Sequence, residues 1–170
     1  MQTKIIKIQE VKKQQADFAA AGEIIKQGGL VAFPTETVYG LGANGLDAEA
    51  CAGIYAAKGR PSDNPLILHV ANRAMIDDVA AEVPEMAEKL IAAFCPGPIT
   101  LILRRREIVP LRITGGLDTV GIRMPDHDIA RALIKAAGVP VAAPSANLSG
   151  RPSPTTAEAV AADMDGRIPL

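Results

Sequence analysis

The stretch Leu30-Val31-Ala32-Phe33-Pro34-Thr35-Glu36-Thr37-Val38-Tyr39-Gly40-Leu41-Gly42 decides the fold. Residues 30–33 are an apolar run of strand length that follows Gly28-Gly29, and they read as a buried strand. What comes next is polar and rich in glycine. It leaves the strand as a turn that gathers the hydroxyls of Thr35 and Thr37, the Glu36 carboxylate and bare backbone amides. With the cations Lys58 and Arg60 one helix further on, this is the composition of a site for an anionic, phosphorylated ligand.

On either side of this stretch, apolar runs of strand length alternate with helical patterns. Residues 5–8 read as a first strand, and Asp17 can cap a helix whose Phe18, Ala21, Ile24 and Ile25 share a face. Asp47 caps a second helix that runs through Ala57. Residues 66–70, 100–103, 119–124 and 139–143 are further strands, and helices fall at 73–81, 84–94 and 128–137. A last helix starts at Thr155, which has capping-box spacing to Glu158. This order predicts an α/β domain around a central, mixed sheet. A chain of 170 residues, 48% of them hydrophobic, can bury roughly two-thirds of its unfolded surface as one such domain.

Composition excludes several function classes. A formal net charge of −1 gives no global field toward nucleic acid or an anionic membrane, so an anion site must come from local clustering. Cys51 and Cys95 have neither CxxC spacing nor a nearby His cluster and read as reduced thiols of a cytoplasmic protein. The most apolar region, residues 90–103, is broken by Pro96-Gly97-Pro98 and is shorter than the ~20 residues that span a bilayer, so no membrane segment is expected.

The individual motifs each carry two readings. Gly40-Leu41-Gly42-Ala43-Asn44-Gly45 satisfies GxGxxG, but a dinucleotide site needs that motif directly between a strand and a helix, and here the next helix begins only near Asp47. No GxxxxGK[ST] segment is present. Lys58 and Arg60 either complement a helix dipole from a solvated terminus or, held by Pro61, Asn64 and Pro65, form a preorganised pair of surface-accessible cations for phosphate. His69 alternates with Leu68 and Val70 as a core or a site histidine. Residues 139–147 form a strand of small residues that empties into Ser145 and Asn147. Ser145 has no GxSxG elbow, and the only imidazoles are His69 and His127. Arg123, on a strand among apolar neighbours, needs an anionic partner, either a ligand or a structural carboxylate.

Taken together, PTETVYGLG, KGRPxxNPL with its downstream His, TVGIRMP and APSANLSGRPSPT resemble the YrdC-like domain of L-threonylcarbamoyladenylate synthases, from about Ile5 to the chain end. The resemblance implies one YrdC-like domain over residues 1–170, with a twisted sheet of parallel and antiparallel strands, flanking helices and a concave ligand cavity. It also implies a nucleotidyltransferase reaction in tRNA modification, in which L-threonine, bicarbonate or CO2, and ATP give threonylcarbamoyl-AMP and pyrophosphate. By the same resemblance Thr35, His69 and Arg123 hold threonine, and Lys58, Arg60, Asn64, Thr119, Ser145 and Asn147 line ATP, with Mg2+ on the phosphates. No protein nucleophile is implied, only positioning and charge neutralisation, with Lys58 and Arg60 foremost.

Family domains continue into a further strand region and a Ser/Thr-containing turn, so this chain reads as one shortened at its C-terminal end. Two rival functions compete with this reading. The related domain of hydrogenase-maturation proteins makes carbamoyl-AMP, but the acylphosphatase and zinc-finger segments that accompany it are missing here. A module that reads the shape of double-stranded RNA is the non-enzymatic alternative, with RNA or tRNA-modification proteins as partners. With three Phe, two Tyr and no Trp, a platform that stacks single-stranded bases is not expected.

Overall fold

The glycines that follow the opening strand belong to the sheet. The computed structural model describes residues 2–61 and 64–170. In it β1 (Val31–Phe33) returns antiparallel as β2 (Gly40–Asn44), pairing Phe33 with Gly40 and Val31 with Gly42. A Cβ on Gly42 would stand 2.7 Å from Val141 Cγ1 and 2.8 Å from Phe33 Cε1, and one on Gly40 would stand 3.1 Å from Phe33 Cζ. These glycines are therefore strand residues that leave room for the Phe33 ring, which corrects the expectation of a glycine-rich turn; the turn is confined to residues 34–39.

Most other elements fall where expected. They are α1 (Gln15–Lys26), α2 (Ala48–Lys58), β3 (Ile67–His69), α3 (Arg73–Val79), α4 (Glu85–Phe94), β4 (Leu101–Arg104), β5 (Thr119–Arg123), α5 (Asp128–Ala137), β6 (Val141–Ala142) and α6 (Ala157–Met164). Asp47 caps α2 by accepting from the amides of Glu49 and Ala50. Three expectations fail. Residues 5–8 form no strand; Ile5 is 70% exposed, and the segment runs beside the chain end, with Lys4 N donating to Pro169 O at 2.9 Å. Asp17 lies inside the first turn of α1, because the Gln14 side chain closes the preceding turn by accepting from the amides of Gln9 and Glu10. The cap of α6 is Thr156 rather than Thr155: the Thr156 hydroxyl accepts from Ala159 N at 3.2 Å.

The six strands order as β1-β2-β6-β3-β5-β4, and among these pairs only β3 with β5 is parallel. Directly paired residues share a face, so register sorts the side chains. One face carries Leu41, Ala43, Ala142, Leu68, Val120, Ile122 and Leu103, all buried in a core with α2, α3 and α4. The opposite face carries Val31, Phe33, Val141 and Ala143 under α1 and α5. Those helices cross closely at Gly22, where a Cβ would meet the Ala136 carbonyl carbon at 2.7 Å. Their cover ends near β3. Beyond it the same face continues through Ile67, His69, Thr119, Gly121, Arg123, Ile102 and Arg104, with Ile102 71% exposed and Arg104 exposed. Half of one sheet face is thus open. No helix among the described residues is long and apolar enough to cross a membrane.

Candidate functional site

Two polar rows cross the open face. At one end His69 pairs with Arg123, and at the other Thr119 pairs with Arg104. Thr119 and Arg123 are four steps apart along extended strand, about 13 Å. Between the rows lie Ile67, Gly121 and Ile102, where Gly121 leaves bare backbone. Ser145 joins the Thr119 end through its bridge to Gly40.

At the His69 end, the 34–39 loop folds over the sheet. Thr35 Oγ1 donates to Val38 O at 2.6 Å and accepts from the amides of Thr37 and Val38, so its hydroxyl shapes the loop. Arg123 Nη2 donates to Glu36 Oε1 at 2.8 Å and to Thr37 Oγ1 at 3.0 Å. Of the two partners the sequence left open for Arg123, the structure contains the protein carboxylate. The buried His69 ring meets Phe33 edge to face at 6.0 Å, and its Nδ1 lies 3.2 Å from Ile67 O. Burial, reinforced by the Arg123 charge, pushes the His69 pKa down to about 4, so the imidazole is neutral.

Lys58 departs from expectation: it is 3% exposed rather than surface-accessible. Gly59, at φ 61°, ends α2 in the left-handed conformation that favours glycine. The Lys58 ammonium is turned inward, donating to Ser145 O and, at 2.6 Å, to Asn147 O. Burial, followed by the Arg60 charge, lowers its pKa to about 8. Lys58 is therefore the peg under the 145–147 turn. Asp163 fixes the same turn further on by accepting from Leu148 N at 2.9 Å and Arg151 Nη1 at 2.6 Å; these bonds hold its carboxyl below the usual range. Asn147 is buried and donates to Leu148 O and Arg151 O, while its Oδ1 has no partner among the described residues. Arg60 is half-buried, with Nη2 3.4 Å from Pro65 O, and the exposed Asn64 offers its carbonyl to the Tyr55 hydroxyl at 2.7 Å.

The structure thus brings Thr35, His69 and Arg123 to one end of the open face. Thr119 and Ser145 lie at the other, with Lys58 and Asn147 behind Ser145. None of these residues lines the cavity of about 450 Å3 bounded by the N-terminal segment, β1, α1 and α6. Two features escaped sequence reasoning. Arg104 was one of three consecutive arginines with nothing to mark it, and only register sets it beside Thr119. Glu36 was quoted within its motif, but its pairing with Arg123 spans 87 positions and leaves no local signal.

Fold and site together define an α/β unit whose mixed sheet keeps one face half open and lined with polar groups. The Sua5/YciO/YrdC family model, described as "Telomere recombination", matches residues 23–170. Over 166 residues, 98% of this chain and 48% of the relative, the chain is 55% identical to the threonylcarbamoyl-AMP synthase of Pyrococcus abyssi. It is 53% identical to that of Bacillus subtilis over 94% of this chain and 46% of the relative. A crystal structure of P. abyssi Sua5 complexed with L-threonine superposes with a TM-score of 0.89 at 55% identity, covering 91% of this chain and 46% of that one. The chain belongs to the Sua5/YciO/YrdC family. It spans about half the length of these relatives.

Proposed function

We propose that this chain carries the chemistry of an L-threonylcarbamoyladenylate synthase, converting L-threonine, bicarbonate or CO2, and ATP into threonylcarbamoyl-AMP and pyrophosphate for tRNA threonylcarbamoyladenosine. The observation that carries the reading is the pair of polar stations on one open sheet face. Their separation of about 13 Å suits an amino acid at one end and an extended nucleotide reaching toward it from the other. The relatives' names and the threonine complex of P. abyssi Sua5 favour this reading over an RNA-binding module.

In this reading Arg123 grips the threonine carboxylate, with Thr35 and neutral His69 bounding the side chain. Thr119, Ser145 and Asn64 line the nucleotide, Arg60 supplies the more accessible cation, and Lys58 with Asn147 holds the turn against which the phosphates lie. The threonine amine adds to CO2, a carbamate oxygen attacks the α-phosphate, and pyrophosphate leaves. The protein's part is to fix both reactants within reacting distance and to meet developing charge with preset donors. Among the described residues no group of three or more His, Cys, Asp or Glu is arranged to hold a metal. In this reading Mg2+ arrives on the triphosphate, as part of the substrate.

Pyrophosphate release is the test. It should require ATP, bicarbonate and L-threonine together. Release that ignores threonine would contradict the proposal, and so would salt-sensitive RNA affinity indifferent to Thr35→Ala in a chain that binds no threonine.

A further inference from the structure

Arg123 is already engaged. Its contacts with Glu36 and Thr37 both run through Nη2, while Nε is buried with no partner among the described residues. A guanidinium presents five N–H donors as a planar fork, so the two contacts at Nη2 leave other donors of the same group for a second acceptor. The ion pair is well shielded, its side chains 13% and 20% exposed.

Such a pair discriminates by charge. A simple acid arriving at Arg123 would meet the Glu36 carboxylate beside it, and like charges repel strongly where water is scarce. A free α-amino acid carries an ammonium and a carboxylate on one carbon, the complement of the two charges that Glu36 and Arg123 present side by side. Burial works to raise the Glu36 pKa, but the Arg123 hydrogen bond and charge, with backbone donors at Glu36 and Asp126, outweigh it and keep the group ionised at neutral pH. The neutral His69 adds no cation that would compete for it.

Resting on the reading of this end as the threonine site, we infer that Glu36 is a substrate-binding residue: it receives the α-ammonium while Arg123 holds the carboxylate, which makes the site selective for free α-amino acids. The competing role is that of a stand-in, in which Glu36 occupies the place of the substrate carboxylate and must leave before threonine binds.

The two roles have opposite signs in one experiment. Glu36→Gln keeps the size of the side chain and can keep the bond to Arg123 while removing the charge. L-Threonine and its hydroxy-acid analogue, with a hydroxyl in place of the amine, are titrated by calorimetry into the parent and the variant, with ATP as the control ligand. The expected result is threonine binding weaker by about tenfold or more in the variant, unchanged ATP affinity, and loss of the parent's preference for threonine over the analogue. Glu36→Asp, which keeps the charge, should retain that preference even if Glu36→Gln does not fold. Tighter or unchanged threonine binding in Glu36→Gln, or an Asp variant without the preference, overturns the inference alone. A folded parent that binds ATP but no threonine overturns it together with the reading beneath it.

Discussion

Lys58 and His69 are buried groups whose protonation differs between the folded and unfolded chain, and each gives a pH-dependent stability of defined sign. Lys58→Met would leave the carbonyls of Ser145 and Asn147 without their donor, at a cost of about 2–4 kcal/mol in denaturant unfolding. The Lys58 pKa is about 8 in the fold against an ordinary 10.5. Between those values the unfolded chain holds the proton that the folded chain has released, so stability from this group rises with pH. The gap between the parent and Lys58→Met should therefore widen from pH 8 toward 10.5. His69 acts on the acid side. With its pKa near 4 in the fold and 6.5 ordinarily, the unfolded chain takes up a proton first as pH falls, and stability drops from pH 6.5 toward 4. His69→Gln should remove that slope. A parent and variant with parallel melting curves across the window would contradict the assignment.

At the scale of elements, glycine is read correctly only with its neighbours known. Gly42→Ala should destabilise by about 1–3 kcal/mol, since the new methyl would overlap Val141 and Phe33 inside β2. Gly53→Ala should stabilise by about 1 kcal/mol, because it sits within α2 with its Cβ direction open to ordinary contact with Leu30 at 3.6 Å. Denaturant midpoints of the two variants check both signs. The same contrast explains what the sequence could reveal. Helix α5 falls at the residues expected for it, 128–137, and ends at Gly138 with φ 66°. Strand β2 was not legible, because what demands glycine at Gly40 and Gly42 is the Phe33 ring across the hairpin and, for Gly42, Val141 about a hundred positions away. Residues 5–8 looked like a strand by composition, yet the edge of β1 is met by the chain end, where Ala32 N donates to Leu170 O at 2.8 Å.

For the molecule as a whole, the site was legible as motifs and illegible as pairings. Hydroxyl, cation and small-residue clusters announce themselves locally, which is why Thr35, Lys58, Arg123 and Ser145 could be named from sequence. That Lys58 turns inward to a turn 87 positions away, or that Arg104 shares a row with Thr119, depends on strand order and register. The open half-face is a property of the whole fold, since it exists because α1 and α5 cover only the β1-β2-β6 side. The claim that this face holds L-threonine against Arg123 is tested most directly by calorimetric titration of L-threonine, L-serine and L-valine with ATP present, into the parent and Arg123→Lys. Lysine keeps the charge and loses the fork that grips a carboxylate through two bonds. The account predicts saturable threonine binding, tighter than that of serine or valine, and weaker by about tenfold or more in Arg123→Lys. Equal affinity for the three amino acids, or threonine binding unchanged by Arg123→Lys, would contradict it.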